Sequence, residues 1–227
     1  MQSPVSLHFI PIDHIFIFIE PDGPEIAHLA SLGLIETYRR THPGQGTQNV
    51  CYCFDNLYLE LLWVNDSNAM QSDAIKRTRL YERSLWRSNR ACPFGIAWRR
   101  SQASPASALT TWNFTPPYLP KGMSIPVATD SDDPRQPMMF ESPGATPPVE
   151  WPIEKRGTLQ HSLGLGAVTE IRLTIPADVP LSPALTTIAR TAAPPLLLNG
   201  SGPYSLQVRI ASLANHPDLL ITLPLPA

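Results

Sequence analysis

Apolar and polar positions along residues 12–64 alternate in a pattern that predicts a strand, a short helix and three further strands. IDHIFIFIE is the first strand. Its alternation puts His14, Phe16 and Phe18 on one face and Ile15, Ile17 and Ile19 on the other. The later strands are predicted at Leu34–Arg40, Thr47–Phe54 and Leu57–Val64. In the last of these, Tyr58, Glu60 and Leu62 share a face opposite Leu57, Leu59, Leu61 and Trp63. Both faces are largely apolar, so this sheet is expected to be covered on both sides.

The same order of elements is predicted for residues 168–225. Laid without gaps on IDHIFIFIEPDGPEIAHLASLG, the segment VTEIRLTIPADVPLSPALTTIA matches Ile171 with Ile15, Leu173 with Ile17, Ile175 with Ile19, Asp178 with Asp22 and Pro180 with Pro24. Strands follow at Pro195–Asn199, Tyr204–Ala211 and Leu219–Leu225, so the chain reads as a duplicated strand–helix–strand–strand–strand unit. Between the copies, Asp73–Asn89 predicts a helix with Ala74, Thr78, Tyr81 and Leu85 as its buried stripe. Strands are expected at Pro93–Arg100, Ala108–Phe114, Met123–Ala128 and Met138–Glu141, and the proline-rich stretch from Pro134 to Lys155 reads as a long connection. The fold class expected is α+β, one domain over residues 1–227. Its parts are a first βαβββ unit at 11–66, intervening material at 67–164 and a second unit at 165–226.

Composition narrows the function classes. The formal net charge of −2 over 227 residues argues against nucleic acid as the main partner. No apolar run reaches the roughly 18 residues of a membrane span. MQSPVSLHFIPIDH lacks the basic start and apolar stretch of a secretion signal, so a cytoplasmic protein is expected. Cys51, Cys53 and Cys92 are an odd set and read as reduced core thiols. Eight of the 17 basic residues fall between Lys76 and Arg100. They read as a solvated helix face, with attraction of an anion toward a nearby cleft as the functional alternative.

The chemistry on offer is a histidine and a carboxylate on two strands of one sheet, His14 and Glu60. Such a pair can ligate a divalent metal, or act as a base and its orienting partner; the bland reading is a hydrogen-bonded core pair. HPGQGT is a shaped turn that offers His42 or Gln45 to a substrate, or serves only as a structural turn. Asn49 lies on the strand that follows. His161, in LQHSLGLGA, is placed to close over a pocket, or simply lies on the surface. Trp112 and Tyr118, in TTWNFTPPYLP, are candidates for an apolar pocket wall or for packing. No GxSxG, HExxH, CxxC or dinucleotide fingerprint is present, which removes several large enzyme classes.

The two βαβββ units resemble the vicinal oxygen chelate superfamily, which includes glyoxalase I, extradiol dioxygenases and bleomycin-resistance proteins. The block IDHIFIFIE…LGL…HPGQGTQNVCYCFDNLYLELLWV is most similar to its glyoxalase-like domain proteins. The resemblance covers residues 11–66 and, more weakly, 165–226. It implies a curved mixed sheet around a cavity, with metal ligands on the first and last strands of each unit. It therefore implies His14 and Glu60 as ligands, with Glu170 opposite His14. Opposite Glu60, matching the strands gives Ile221 and an ungapped count gives His216. The implied cofactor is a divalent ion (Mn, Fe, Ni or Zn). The implied activity is that of a lyase, isomerase or dioxygenase acting on a small oxygen-rich molecule. The alternative is a non-catalytic, resistance-type protein that binds a small molecule. Either way the partner is a small molecule, with no membrane, and the protein is a monomer or homodimer.

Overall fold

The computed structural model describes residues 9–100, 109–214 and 216–225. The alternating segment at the start forms β1 (Ile10–Phe18), and Pro24 opens α1 (Pro24–Ser31) at a position where a missing N–H costs nothing. Then come β2 (Tyr38–His42), β3 (Thr47–Cys53) and β4 (Tyr58–Val64). The first unit is thus βαβββ, as the pattern predicts. β2 begins later than expected, because Ile35 points to solvent and the ladder with β3 starts only at Tyr38.

The predicted helix over Asp73–Asn89 is broken. The chain makes α2 (Ser67–Met70), a 3-10 turn at Lys76–Thr78, α3 (Leu80–Ser84) and α4 (Trp86–Asn89). Arg79 adopts φ 57°, which ends one helical phase and starts another. The buried positions are consequently Ile75, Thr78, Leu80 and Arg83, while Leu85 of the predicted stripe is exposed.

The next strands are β5 (Phe94–Arg99), β6 (Thr111–Phe114), β7 (Ile125–Ala128) and β8 (Met138–Ser142). They join the first unit in one sheet ordered β2-β3-β4-β1-β5-β8-β7-β6. Here β1 is parallel to β4 and β5 is parallel to β8, and β1 meets β5 antiparallel at the centre. The strand order on one side of that centre is therefore repeated on the other, by the segment the sequence reading took as intervening material.

The final segment has the predicted elements in the predicted order. After α5 (Ile153–Arg156) come β9 (Leu165–Thr174), α6 (Pro183–Thr191), the two-residue β10 (Ala192–Ala193), β11 (Leu196–Asn199), β12 (Ser205–Ser212) and β13 (Leu219–Leu223). Ser182 caps α6 by accepting the Leu185 N–H. Only β10 pairs with the large sheet, beside the start of β1; the others form a separate sheet, β11-β9-β12-β13. In it β9 lies between β11 and β12, whereas β1 pairs with β4. The expected second copy is thus corrected. It shares element order with the first unit but neither its pairing nor its sheet.

The main core lies between the two sheets. Ile15, Ile17, Leu59, Leu61 and Trp98 from the large sheet pack with Ile171, Leu173, Val208, Ile210 and Ile221 from the small one. The opposite face of the large sheet carries Phe16, Phe18, Leu62, Ala97, Met138 and Phe140, and curves around the cavity described below. Close packing there fixes one glycine. A Cβ on Gly95 would lie 2.0 Å from Phe16 Cε1. Gly95→Ala is expected to displace the Phe16 ring and cost about 1–3 kcal/mol, measurable by chemical denaturation. A change below about 0.5 kcal/mol would show that the ring can move freely.

Candidate functional site

β1 and β4 run side by side, so the alternation that placed His14 and Glu60 on matching faces brings them together on the cavity floor. Both are nearly excluded from solvent, and His14 Nε2 lies 3.6 Å from Glu60 Oε2. That is too long for a hydrogen bond of ordinary strength. On the other side of the ring, His14 Nδ1 donates to Asp13 Oδ2 at 2.8 Å. Arg99 donates to the other Asp13 oxygen at 3.1 Å. Burial would raise the Asp13 pKa, but the hydrogen bonds from His14 and Ser142 and the Arg99 charge outweigh it and hold it below 3.8. An ionised Asp13 can only accept, so Nδ1 carries the hydrogen of that bond and Nε2 is the ring nitrogen that faces Glu60.

Glu60 is itself held in place. Its Oε1 accepts from Asn49 Nδ2 at 2.5 Å, and Asn49 Oδ1 accepts the Arg40 backbone N–H at 2.9 Å. Tyr58 stacks on His14 with ring centroids 4.4 Å apart, and burial pushes its hydroxyl pKa well above 10. The cavity above has a volume of about 570 Å³, the size of a small-molecule site.

Several other predicted residues also line this space. His42 ends β2 and Gln45 lies in the turn that follows; both are buried and bond to Thr47 Oγ1, at 2.9 and 2.8 Å. Tyr118 packs against the His42 ring at 4.8 Å and reaches the cavity. Burial holds His42 below its ordinary pKa of 6.5, against an upward pull from Glu60. As pH falls below that value, the unfolded chain binds a proton that folded His42 resists, so stability present above about pH 6.5 is lost on the way down. The expected result is a melting temperature that declines between about pH 6.5 and 5, with a shallower decline in His42→Gln. Equal slopes in the two proteins would remove His42 as the cause.

Three predicted residues lie elsewhere. Glu170 is on β9 in the small sheet, paired with Arg172 at 3.2 Å, because that strand never joins the cup. His161 bonds Asp55 at 2.6 Å on the surface and ties the turn before β9 to the first unit. Trp112 faces Arg77, whose guanidinium sits 4.4 Å from its ring, and does not reach the cavity. Neither proposed fourth ligand is at the site: Ile221 is in the core and His216 is exposed. The basic stretch is not one solvated face either. Arg83 and Arg99 are buried, and Arg77, Arg87, Arg90 and Arg100 each pair with a carboxylate. The three cysteines are buried and unpaired, as expected.

Sequence reasoning missed Asp13, Arg99, Tyr38, Tyr58, Trp151 and Lys155. Strict alternation sends Asp13 to the face opposite His14. A register shift against β5 between Ile12 and His14 lets both line the cavity. A carboxylate next to a strand histidine was the available signal.

The βαβββ unit is continued by a second set of strands with the same pairing, and a histidine and a glutamate lie on the floor of the cup. Residues 12–115 match the family model described as glyoxalase-like domain. No curated protein matches the chain. Among solved structures, a methylmalonyl-CoA epimerase in complex with methylmalonyl-CoA and NH4+ is 16% identical with a TM-score of 0.39, over 61% of this chain and 99% of that one. The methylmalonyl-CoA epimerase from Mycobacterium tuberculosis is 13% identical with a TM-score of 0.39, over 62% and 91%. A hypothetical protein from Staphylococcus aureus is 12% identical with a TM-score of 0.39, over 72% and 69%. No helix among the described residues is long and apolar enough to cross a membrane.

Proposed function

We propose that the protein is an enzyme of glyoxalase type that acts on a small oxygen-bearing molecule, with His14 and Glu60 as its reacting groups. The observation that carries this is the orientation of His14. Asp13 fixes the Nδ1 proton, and the free Nε2 faces the Glu60 carboxylate across 3.6 Å. Two lone-pair donors held against each other in a nearly dry site are electrostatically unfavourable unless a proton or cation lies between them.

The donor set suits a divalent ion in part. Among the described residues no cluster of three or more His, Cys, Asp or Glu side chains is arranged to hold a metal. The β5–β8 side of the cup lines the cavity with Met138, Phe140 and the Ser142 hydroxyl, and offers no histidine or carboxylate. An ion would therefore be held by His14 and Glu60 alone, fewer than the three protein ligands usual at catalytic zinc, and would bind weakly. It would supply Lewis-acid polarisation of a substrate oxygen. The chain's own residues do the rest. Glu60, steadied by Asn49, and His14, oriented by Asp13, are placed to take and return a proton at an adjacent carbon or oxygen. The aromatic walls exclude water.

The apolar β5–β8 side favours one alternative, a pocket that binds its ligand without reacting. One titration separates the two readings. If the first holds, Mn, Fe, Ni or Zn added to chelator-treated protein should raise its melting temperature. At an ion concentration roughly 100 times the dissociation constant the gain is about 2.7 kcal/mol. No response to any of the four ions favours the binding-only pocket.

A further inference from the structure

The cavity mouth carries two cations that nothing in the reacting centre uses. Arg39, Arg40 and Lys155 all line the cavity. Arg39 is neutralised by Glu36 at 2.7 Å and lies 3.9 Å from Asp22. Among the described residues, neither the Arg40 guanidinium nor the Lys155 amine forms an ion pair with a carboxylate, and both residues are exposed. They come from separate elements, β2 and α5, yet their charges act on each other: Lys155 is held below its ordinary pKa by burial and also by Arg40. Two like charges converging on one opening are costly unless an anion sits between them.

An aromatic wall links this mouth to the floor. Lys155 Nζ sits 3.4 Å from the centre of the Trp151 ring. Trp151 meets Tyr58 at 5.7 Å, and Tyr58 stacks on His14 at 4.4 Å. Aromatic surface therefore runs from the cations to the reacting pair, with Trp151 and Tyr58 meeting at an interplanar angle of 60°. At the floor, the Asp13 charge is already met by Arg99 and His14.

We propose that the cup takes a planar small acid: its carboxylate or phosphate lies between Arg40 and Lys155, its body along Trp151 and Tyr58, and its oxygen-bearing end at His14 and Glu60. This rests on the reading of the cup as a small-molecule site and names the class of molecule. Charge-assisted bonds from both cations hold the anion, and the wall sets its orientation.

The test is calorimetric binding of three matched probes, 4-hydroxybenzoate, 4-hydroxyphenyl phosphate and the neutral 4-hydroxybenzamide. It uses the parent, Arg40→Met/Lys155→Met and His14→Ala. At least one anion is expected to bind the parent about tenfold or more tighter than the amide, and the better of the two anions identifies the group. The double variant should lose that preference and bind the amide as the parent does. His14→Ala should keep it, because the mouth is separate from the floor; this outcome supports the anion site even if His14 proves to have no catalytic role. Equal binding of acid and amide, no binding of any probe at millimolar concentration, or an unchanged preference in the double variant overturns the proposal.

Discussion

Arg83→Met should be among the most destabilising single substitutions in this chain, at about 3–5 kcal/mol. Arg83 is fully buried and pairs with no carboxylate among the described residues. Instead its guanidinium donates to backbone carbonyls of Ser131, Asp133, Pro134 and Gln136, and to that of Cys92. Those carbonyls belong to the turn between β7 and β8 and to the entry of β5, so one side chain from α3 ties together the connections of the cup's second half. Burial pulls its pKa down to about 10, still well above neutral pH, so the charge persists in the core. Methionine fills the volume but donates nothing, and the carbonyls lose their partners in a site water does not reach. Melting should fall by roughly 6–20 °C. Arg83→Lys should recover only part of the loss, because an ammonium cannot span the same set of acceptors. A loss under about 1 kcal/mol for Arg83→Met would mean that the turn is held by other contacts.

His14→Ala should abolish ion-dependent stabilisation and turnover while the chain stays folded. The stability cost is expected to be modest, about 1–3 kcal/mol. The imidazole contributes stacking on Tyr58 and one bond to Asp13, and Arg99 still neutralises Asp13 after its removal. Glu60 keeps its bond from Asn49. If His14 and Glu60 hold an ion, the effect on it is much larger, because one of two donors is gone; affinity should drop on the order of 100-fold or more. Differential scanning calorimetry with and without ion checks both parts. A parent that responds to an ion and a variant that responds equally would place the ion elsewhere. Asp13→Asn is the informative companion. It keeps the ring in place but offers no fixed acceptor for Nδ1–H, so a weakened response shows that Asp13 acts by setting the tautomer.

The sequence by itself determined what depends on neighbours along the chain. Period-two alternation put His14 with Phe16 and Phe18, and Glu60 with Tyr58 and Leu62, and the structure keeps those faces. Turn residues placed the HPGQGT loop between two strands. The α+β class followed from the order of elements in the first and last segments. Which strands pair was not legible, because the same order of elements, strand–helix–strand–strand–strand, supports more than one hydrogen-bonding arrangement. Pairing is chosen by contacts between residues far apart in sequence. The repeat in local pattern pointed to β9, but β9 pairs with β11 and β12, and the place beside β1 went to β5. That choice removed Glu170 from the cup. It brought in Arg99 and let the segment that follows β8 supply Trp151 and Lys155 at the mouth. The irregular pairing at Ile12–His14 likewise exists only against a partner strand, and it sets Asp13 beside His14 on the cavity wall. Local alternation thus put His14 and Glu60 on matching faces, and only the tertiary pairing gave them their orientation, their solvent exclusion and the cations at the cavity mouth.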